Sequence, residues 1–245
     1  MKVEIKDYER VDDLHRNGYM LIQDPKRFCF GVDAVLLSGF ATAKKGDKVL
    51  DLGTGTGVIP ILMSAKTNAE HFSALEIQPE SAEMAKRSVM LNDLHDKIDI
   101  IEGDIKKAAE IFKPSSFDVI TTNPPYMNFE GGIKNSYDPK TIARHEVLCS
   151  LDDVAFAAQR LLKFGGKFFM VHRPHRLTDI MCVLREHKLE PKRIRFVQPY
   201  ADREPNMVLV EAVRSGKPMI KVMPTLVIYN SDGTYTQETL DIYYN

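Results

Sequence analysis

The sequence lacks several features that mark specialised classes of protein. Its 245 residues include no tryptophan, and its three cysteines, Cys29, Cys149 and Cys182, have neither paired nor metal-ligand spacing. A disulfide scaffold or zinc module is therefore not expected, and so few cysteines fit a reducing compartment. No apolar run approaches the ~20 residues of a membrane span, and no signal-peptide pattern is visible. We expect a cytoplasmic protein without a membrane segment.

Linkers, low-complexity segments and internal repeats are also absent, which favours one domain at this length. Apolar runs instead alternate with helical patterns, and such alternation indicates an α/β fold with a mostly parallel sheet. We predict seven strands, near 48–51, 72–76, 97–101, 117–121, 166–171, 192–198 and 207–213. Helices are predicted near 58–66, 79–93, 104–112, 150–162 and 175–187. The last two strands are separated by Pro199 to Pro205, too short for a helix, so they should pair antiparallel.

The most informative motif is Asn123-Pro124-Pro125-Tyr126, directly after the apolar run 117–122. The Asn123 side-chain oxygen and the Pro124 carbonyl can each accept an N–H from a planar amino group, which stabilises charge that builds on its nitrogen. The two prolines restrict the backbone and so fix the carbonyl. Tyr126 supplies a flat face on which an extruded base can stack. Alone, the tetrapeptide would also fit a turn after a strand.

A second motif, Asp51-Leu52-Gly53-Thr54-Gly55-Thr56-Gly57, stands between a predicted strand and a helix. Glycines let the backbone approach a ligand, and a helix start offers free N–H groups. A dinucleotide-binding fingerprint would place its third glycine at position 58, which is valine here. Asp51 beside this loop is suited to a cation rather than to a pyrophosphate.

Acidic residues also follow the next two predicted strands. Glu76 is suited to a bidentate contact with ribose hydroxyls, and Asp104 to an adenine amino group. Each acid alone would fit a solvated strand end. Together with Asp51 and Asn123, however, they mark four successive strand ends, and ligands of open α/β sheets bind at the carboxyl ends of parallel strands.

These motifs together resemble the class I methyltransferases that depend on S-adenosylmethionine. The resemblance covers nearly the whole chain and implies a Rossmann-like, seven-stranded, mostly parallel sheet with an antiparallel C-terminal hairpin. It implies catalytic roles for Asn123, Pro124, Pro125 and Tyr126. The cofactor residues that it implies are Asp51, Gly53, Gly55, Gly57, Glu76, Asp104, Ile105 and Asn123.

Two appendages flank the predicted methyltransferase core of residues 31–221. Residues 1–30, with strand-like segments at Val3–Ile5 and Tyr19–Gln23, suggest a hairpin lid. Residues 222–245 suggest a second hairpin, with its turn at Asn230–Gly233.

The charges are unevenly distributed although the net charge is −1. Residues 160–221 contain 14 Lys/Arg and 6 Asp/Glu. A basic segment that follows the fifth core strand is suited to phosphates at the rim of the site, although a solvated face is the alternative. The RNA contacts predicted there are His172, Arg173, His175 and Arg176. No metal site is expected, because methyl transfer from a sulfonium needs none and no further ligand is near His172 and His175.

Further residues narrow the resemblance to the bacterial tRNA(Val) adenine N6-methyltransferase family. They are the run from Phe28 to Leu37, the glycine loop, the Asn-Pro-Pro-Tyr motif and the run from Ala143 to Glu146. The resemblance implies a tRNA substrate methylated at the adenine 3′ to the anticodon. It also places Phe30 and Asp33 near the methionine end of the cofactor, where the alternative is a helix start with Asp33 in its first turn. Arg144, His145 and Glu146 would contact RNA or order the loop, or form a salt-bridged turn.

Two other functions remain open. Protein glutamine N5-methyltransferases use the same motif, although those acting on release factors usually carry a helical N-terminal domain. A non-catalytic RNA-binding protein with this fold is the third possibility, but it would be expected to carry a degraded cofactor loop, and this loop is intact.

Overall fold

The computed structural model describes residues 3–27, 29–124 and 149–244. The strands are β1 (Arg10–Asp13), β2 (Met20–Gln23), β3 (Lys48–Leu52), β4 (His71–Glu76), β5 (Ile98–Glu102), β6 (Phe117–Thr122), β7 (Leu162–His172), β8 (Leu189–Gln198), β9 (Met207–Arg214), β10 (Lys221–Val222) and β11 (Leu226–Val227). The helices are α1 (Val32–Phe40), α2 (Val58–Lys66), α3 (Pro79–Leu91), α4 (Ala108–Ile111), α5 (Leu151–Leu161), α6 (Leu177–Glu186) and α7 (Gln237–Tyr244). Short 3₁₀ turns cover Ile105–Lys107 and Pro174–Arg176.

Seven strands form the body of the main sheet in the order β5-β4-β3-β6-β7-β9-β8. They run parallel except β9, which is antiparallel to both of its neighbours. The predicted parallel sheet with an antiparallel C-terminal hairpin is therefore confirmed. The short strands β10 and β11 pair parallel with β8 and bring the sheet to nine strands.

Each face of the sheet carries its own hydrophobic core, because successive side chains of a strand point to opposite faces. On β7, Phe169 and Val171 belong to the core that includes residues of α1, α2 and α3. Phe168 and Met170 belong to the other core, with residues of α4, α5 and α6. The sheet is thus covered on both sides. None of the helices in the described ranges is long and apolar enough to cross a membrane.

The N-terminal hairpin is formed by β1 and β2, and it packs on α3. The backbone N–H of Ile22 donates to Ser88 Oγ at 3.0 Å, and that of Met20 donates to Asn92 Oδ1 at 2.8 Å. The strand predicted at Val3–Ile5 was wrong, since Arg10–Asp13 pairs with β2 instead. The preceding segment is held by side chains: Arg87 of α3 pairs with the buried Glu9 carboxylate at 2.6 Å and donates to the Glu4 carbonyl at 2.8 Å.

The predicted C-terminal hairpin was also wrong in its strands. Pro224 lacks an N–H, and the chain around it adds two short parallel strands to the edge strand β8. The predicted turn at Asn230–Gly233 is present, flanked by an antiparallel bridge between Tyr229 and Tyr235. The chain then forms α7, which packs against α1: a Cβ added at Gly39 would lie 2.7 Å from Ile242.

Candidate active site

The predicted ligand residues lie at one edge of the sheet. The strand order reverses at β3, which has β4 on one side and β6 on the other. Such a reversal opens a crevice beyond the carboxyl ends of the strands, where open α/β sheets bind ligands. Asp51 lies near the end of β3, Glu76 ends β4, and Asn123 follows β6.

The glycine loop turns sharply between β3 and α2. Gly53, Gly55 and Gly57 have φ angles of +73°, +60° and +87°, values that residues with a side chain rarely adopt. A Cβ on Gly57 would also lie 3.3 Å from the Cβ of Ala85, whereas one on Gly55 would meet no atom within 4 Å. No side chain caps the start of α2, so its first N–H groups remain for a ligand.

Asp51 is a buried acid with one oxygen committed to the protein. Its Oδ1 accepts a hydrogen bond of 2.6 Å from the Thr121 hydroxyl on the neighbouring strand. Among the described residues, Oδ2 has no hydrogen-bonding partner, and neither does the buried Thr54 hydroxyl oxygen. Burial raises the Asp51 pKa to about 6, and the Thr121 hydrogen bond and the nearby Thr54 hydroxyl partly offset this rise. A ligand ammonium group would supply the missing partner and stabilise the charged carboxylate.

Glu76 is buried beside the glycine loop and fixes its position. The backbone N–H of Gly55 donates to Oε2 at 2.8 Å, and that of Gln78 donates to Oε1 at 2.9 Å. Burial raises its pKa despite these two bonds. Each carboxylate oxygen retains further acceptor capacity, which fits a pair of ribose hydroxyls.

Asp104 and Ile105 follow β5 on the far side of β4. Asp104 caps the 3₁₀ turn of Ile105–Lys107, and its Oδ1 accepts from the Lys106 N–H at 2.9 Å. Ile105 reaches the glycine loop, since a Cβ on Gly53 would lie 3.8 Å from Ile105 Cδ1. The structure therefore brings an apolar side chain next to the loop, and the acceptor Asp104 directly precedes it in the chain, a combination suited to a purine ring.

Asn123 and Pro124 come directly after β6, next to β3. The Thr122 hydroxyl donates to the Leu52 carbonyl at 2.8 Å and so ties the ends of these two strands together. Asn123 is half-buried and Pro124 is buried. The other predicted residues of this region, Pro125, Tyr126, Arg144, His145 and Glu146, lie outside the described residues.

Phe30 and Asp33 lie at the start of α1. The Phe30 N–H donates to Gln23 Oε1 at 2.9 Å, and Asp33 Oδ1 accepts from the Ala34 N–H at 2.9 Å in the first helical turn. Burial raises the pKa of Tyr243, and the charge of Asp33 adds to this effect. The structure thus contains the helix start that the sequence left open. Cofactor contact by these residues stays a prediction.

The basic segment after β7 presents fewer exposed cations than its sequence indicates. His172 is fully buried, and burial lowers its pKa to about 4, so it is neutral at physiological pH. Arg176 is buried and pairs with Asp179 at 2.8 Å. Arg173 is half-buried and donates to the Asn206 carbonyl at 3.0 Å, and His175 is exposed. Among these four predicted RNA contacts, only Arg173 and His175 present a side chain to solvent.

The site residues belong to a chain whose relatives can be recognised. Residues 30–187 match the family model of the methyltransferase small domain. The chain belongs to this family. A tRNA1(Val) (adenine(37)-N6)-methyltransferase from Histophilus somni is 30% identical over 234 residues, covering 91% of this chain and 93% of its own. The enzyme of the same name from Aeromonas hydrophila is 27% identical over 214 residues, covering 86% and 87%. The predicted resemblance is therefore confirmed.

Solved structures show the same methyltransferase fold. A predicted O-methyltransferase from Agrobacterium tumefaciens superposes with a TM-score of 0.70 at 21% identity, covering 86% of this chain and 95% of that one. Geranyl diphosphate C-methyltransferase from Streptomyces coelicolor, solved with S-adenosyl-L-homocysteine, has a TM-score of 0.54 at 12% identity, with coverages of 74% and 79%.

The residues of this methyltransferase fit S-adenosylmethionine. The unpartnered Asp51 oxygen matches the ammonium group of the cofactor, and the buried Glu76 carboxylate matches its ribose. The open space at Gly55 leaves room for the cofactor to approach the backbone closely.

Sequence reasoning missed Thr121 and Thr54. Thr121 holds Asp51 because β3 and β6 pair in a register that sets these two residues opposite each other. The two positions are 70 residues apart, so no local pattern could have shown the contact.

Proposed function

We propose that this protein transfers a methyl group from S-adenosylmethionine to N6 of an adenine in tRNA, at the base 3′ to the anticodon of tRNA(Val). The observation that carries the proposal is the buried, half-partnered Asp51 carboxylate on β3, next to β6, which the acceptor pair Asn123 and Pro124 directly follows. The names of the full-length relatives support the substrate. Work on tRNA implies a cytoplasmic location.

Three elements would hold the cofactor. Asp51 binds its ammonium group, Glu76 its ribose hydroxyls, and Asp104 with Ile105 its adenine. When bound, S-adenosylmethionine supplies a methyl group on a positively charged sulfur, open to in-line attack by a nitrogen nucleophile. Because the loop residues Gly53, Gly55 and Gly57 have no side chains, they leave space for the cofactor.

The acceptor pair prepares the adenine amino group for attack. The Asn123 side-chain oxygen and the Pro124 carbonyl each accept one N–H of the amino group, so its lone pair is directed away from the ring plane. The bond from nitrogen to the methyl carbon forms as the carbon–sulfur bond breaks. The methylated nitrogen then loses a proton to solvent, which requires no dedicated base. Tyr126 is expected to stack on the flipped base.

An Asn123→Ala variant tests this chemistry. Loss of one oriented acceptor is expected to reduce kcat about 100-fold or more, while binding of S-adenosylhomocysteine, measured by calorimetry, is retained. Asn123→Asp is the matched variant, because it keeps an acceptor oxygen. Full activity of Asn123→Ala would contradict the mechanism.

The destination of the label separates the open alternatives. Methyl-labelled S-adenosylmethionine is incubated with the protein, total tRNA and release-factor protein. RNase-sensitive label supports the proposal. RNase-resistant label in protein would identify a glutamine methyltransferase, and no transfer despite cofactor binding would favour a non-catalytic RNA-binding protein.

A further inference from the structure

A second cavity opens on the same edge of the sheet as the active site. It has a volume of about 720 Å³ and lies between the loop 199–206 and the segment 227–236. That loop connects the carboxyl end of β8 to β9, and β8 runs in the same direction as β6 and β7. Three strand steps separate β6 from β8, or about 14 Å at the usual spacing of strands. A few nucleotides of single-stranded RNA span that distance.

The cavity is lined by groups that recognise a nucleotide. Tyr200 and Tyr229 line it, and their ring centroids are 5.5 Å apart. Arg203 is exposed at its wall and forms no ion pair with any of the described residues. Asp202 lines it as well, so the two charges cancel. Stacking rather than charge must therefore supply most of the affinity, and aromatic stacking accepts any base.

The cavity is preformed rather than loosely assembled. The Tyr229 N–H donates to the Pro199 carbonyl at 2.9 Å, which joins its two walls. Behind it the stack of rings continues, from Tyr229 to Tyr235 at 5.3 Å and from Tyr235 to Tyr243 at 5.3 Å. Rings held in a stack lose little conformational entropy when a base joins them.

The cavity is also linked to the rim of the active site. Arg173, which directly follows β7, donates to the carbonyl of Asn206 at the end of the loop. An RNA strand that leaves the acceptor pair would pass this rim before it reaches the tyrosines.

We propose that this cavity, defined by Tyr200, Tyr229 and Arg203, binds a nucleotide that flanks the target adenine. Its base stacks on the tyrosines, and its phosphate contacts the Arg203 guanidinium. The inference rests on the proposed function, since it assigns the cavity to the same RNA substrate.

Steady-state methylation of a tRNA transcript tests the inference. Tyr200→Ala removes the stacking face and is expected to raise KM for tRNA on the order of tenfold, whereas Tyr200→Phe keeps the face and should match the unmodified protein. Phe164→Ala is the control, because Phe164 is an aromatic residue, 81% exposed, near the amino end of β7 and so at the opposite edge of the sheet. Affinity for S-adenosylhomocysteine should stay unchanged in all three variants.

Salt dependence gives an independent readout. Arg203→Gln should reduce the magnitude of the slope of log affinity against log salt by about 1, the value expected for the loss of one phosphate contact. Tyr200→Ala should leave that slope unchanged. Lys45→Gln, an exposed cation in the loop before β3, is the matched control for charge.

The outcomes separate the two proposals. If the unmodified protein methylates tRNA and Tyr200→Ala has an unchanged KM, the subsite is wrong and the proposed function stands. An equal rise in KM for Tyr200→Ala and Tyr200→Phe would also overturn stacking. If the unmodified protein transfers no methyl group to tRNA, both proposals fail.

Discussion

Replacing Asp51 by asparagine should stabilise the cofactor-free protein and weaken cofactor binding. The carboxylate is 1% exposed, and its pKa is raised from 3.8 to about 6, chiefly because burial disfavours the charged form. This difference corresponds to a cost of about 3 kcal/mol when the group is charged in the folded protein. Asparagine carries no charge and keeps an oxygen for the Thr121 hydroxyl.

The effect on stability depends on pH. Because the folded pKa of this acid is raised, the cost is absent below the unfolded pKa near 4, grows as pH rises, and is complete above about pH 6. Asp51→Asn should therefore increase the free energy of unfolding by about 3 kcal/mol at pH 7 and by about half as much at pH 5. Urea unfolding at both values measures the difference. Asp96→Asn is the control, because the Asp96 side chain is 97% exposed.

Cofactor binding should change in the opposite direction. A hydrogen bond to a charged group contributes about 1.5–3 kcal/mol, so the affinity for S-adenosylmethionine should fall by about tenfold or more. Calorimetry at pH 7 measures it. The reasoning would be refuted if Asp51→Asn lost stability at pH 7, or if it bound the cofactor as tightly as the unmodified protein.

Two further changes test the supports of the site and of the N-terminal hairpin. Thr121→Val removes the hydroxyl that bonds the buried aspartate, so the pKa of that acid should rise. As pH is lowered, cofactor affinity should then begin to fall at a higher pH than in the unmodified protein. Calorimetry between pH 5 and 8 measures this, and an unchanged pH dependence would show that the hydroxyl is unimportant. Arg87→Met leaves Glu9, whose side chain is 1% exposed, without its cation, and should cost about 3 kcal/mol in urea unfolding. Arg185→Met, at a pair whose arginine is 64% exposed, should cost under about 1 kcal/mol, and equal losses for both arginines would contradict the argument.

The strands of the sheet and the positions of the acids could be predicted because they depend on local signals. Apolar runs alternate with helical patterns, and each acid follows its run directly. Asp51, Glu76 and Asn123 needed only the rule that parallel strands end at one edge. The glycine loop was equally visible, since three glycines at alternate positions have few structural uses other than close approach to a ligand.

Burial and long-range partners could not be predicted. His172 belongs to a basic run in sequence, yet the fold buries it and keeps it neutral. Arg193 and Arg195 belong to a similar run, but they pair with Glu211 and Glu238, which are 18 and 43 residues away. Local charge counts therefore overstate the cations that are available to RNA, because a fold can neutralise them with distant acids.

The edge strand β8 explains the error at the C-terminus. The apolar pattern of residues 222–229 correctly indicated extended chain, but an extended segment pairs with whichever strand edge is open. Here the edge of β8 was open, so β10 and β11 pair with it rather than with the segment that follows the turn. Tyr243 of α7 then stacks on Tyr235, which pairs with Tyr229 beyond β11.

The most direct test of the central claim is the identity of the methylated nucleoside. The protein is incubated with methyl-labelled S-adenosylmethionine and total tRNA from a strain that lacks this gene, and the RNA is digested to nucleosides for mass spectrometry. The account predicts N6-methyladenosine, located 3′ to the anticodon of tRNA(Val) by sequencing the labelled fragment, and its loss with Asn123→Ala. Label in any other nucleoside, or unlabelled tRNA from an enzyme that binds its cofactor, would contradict it.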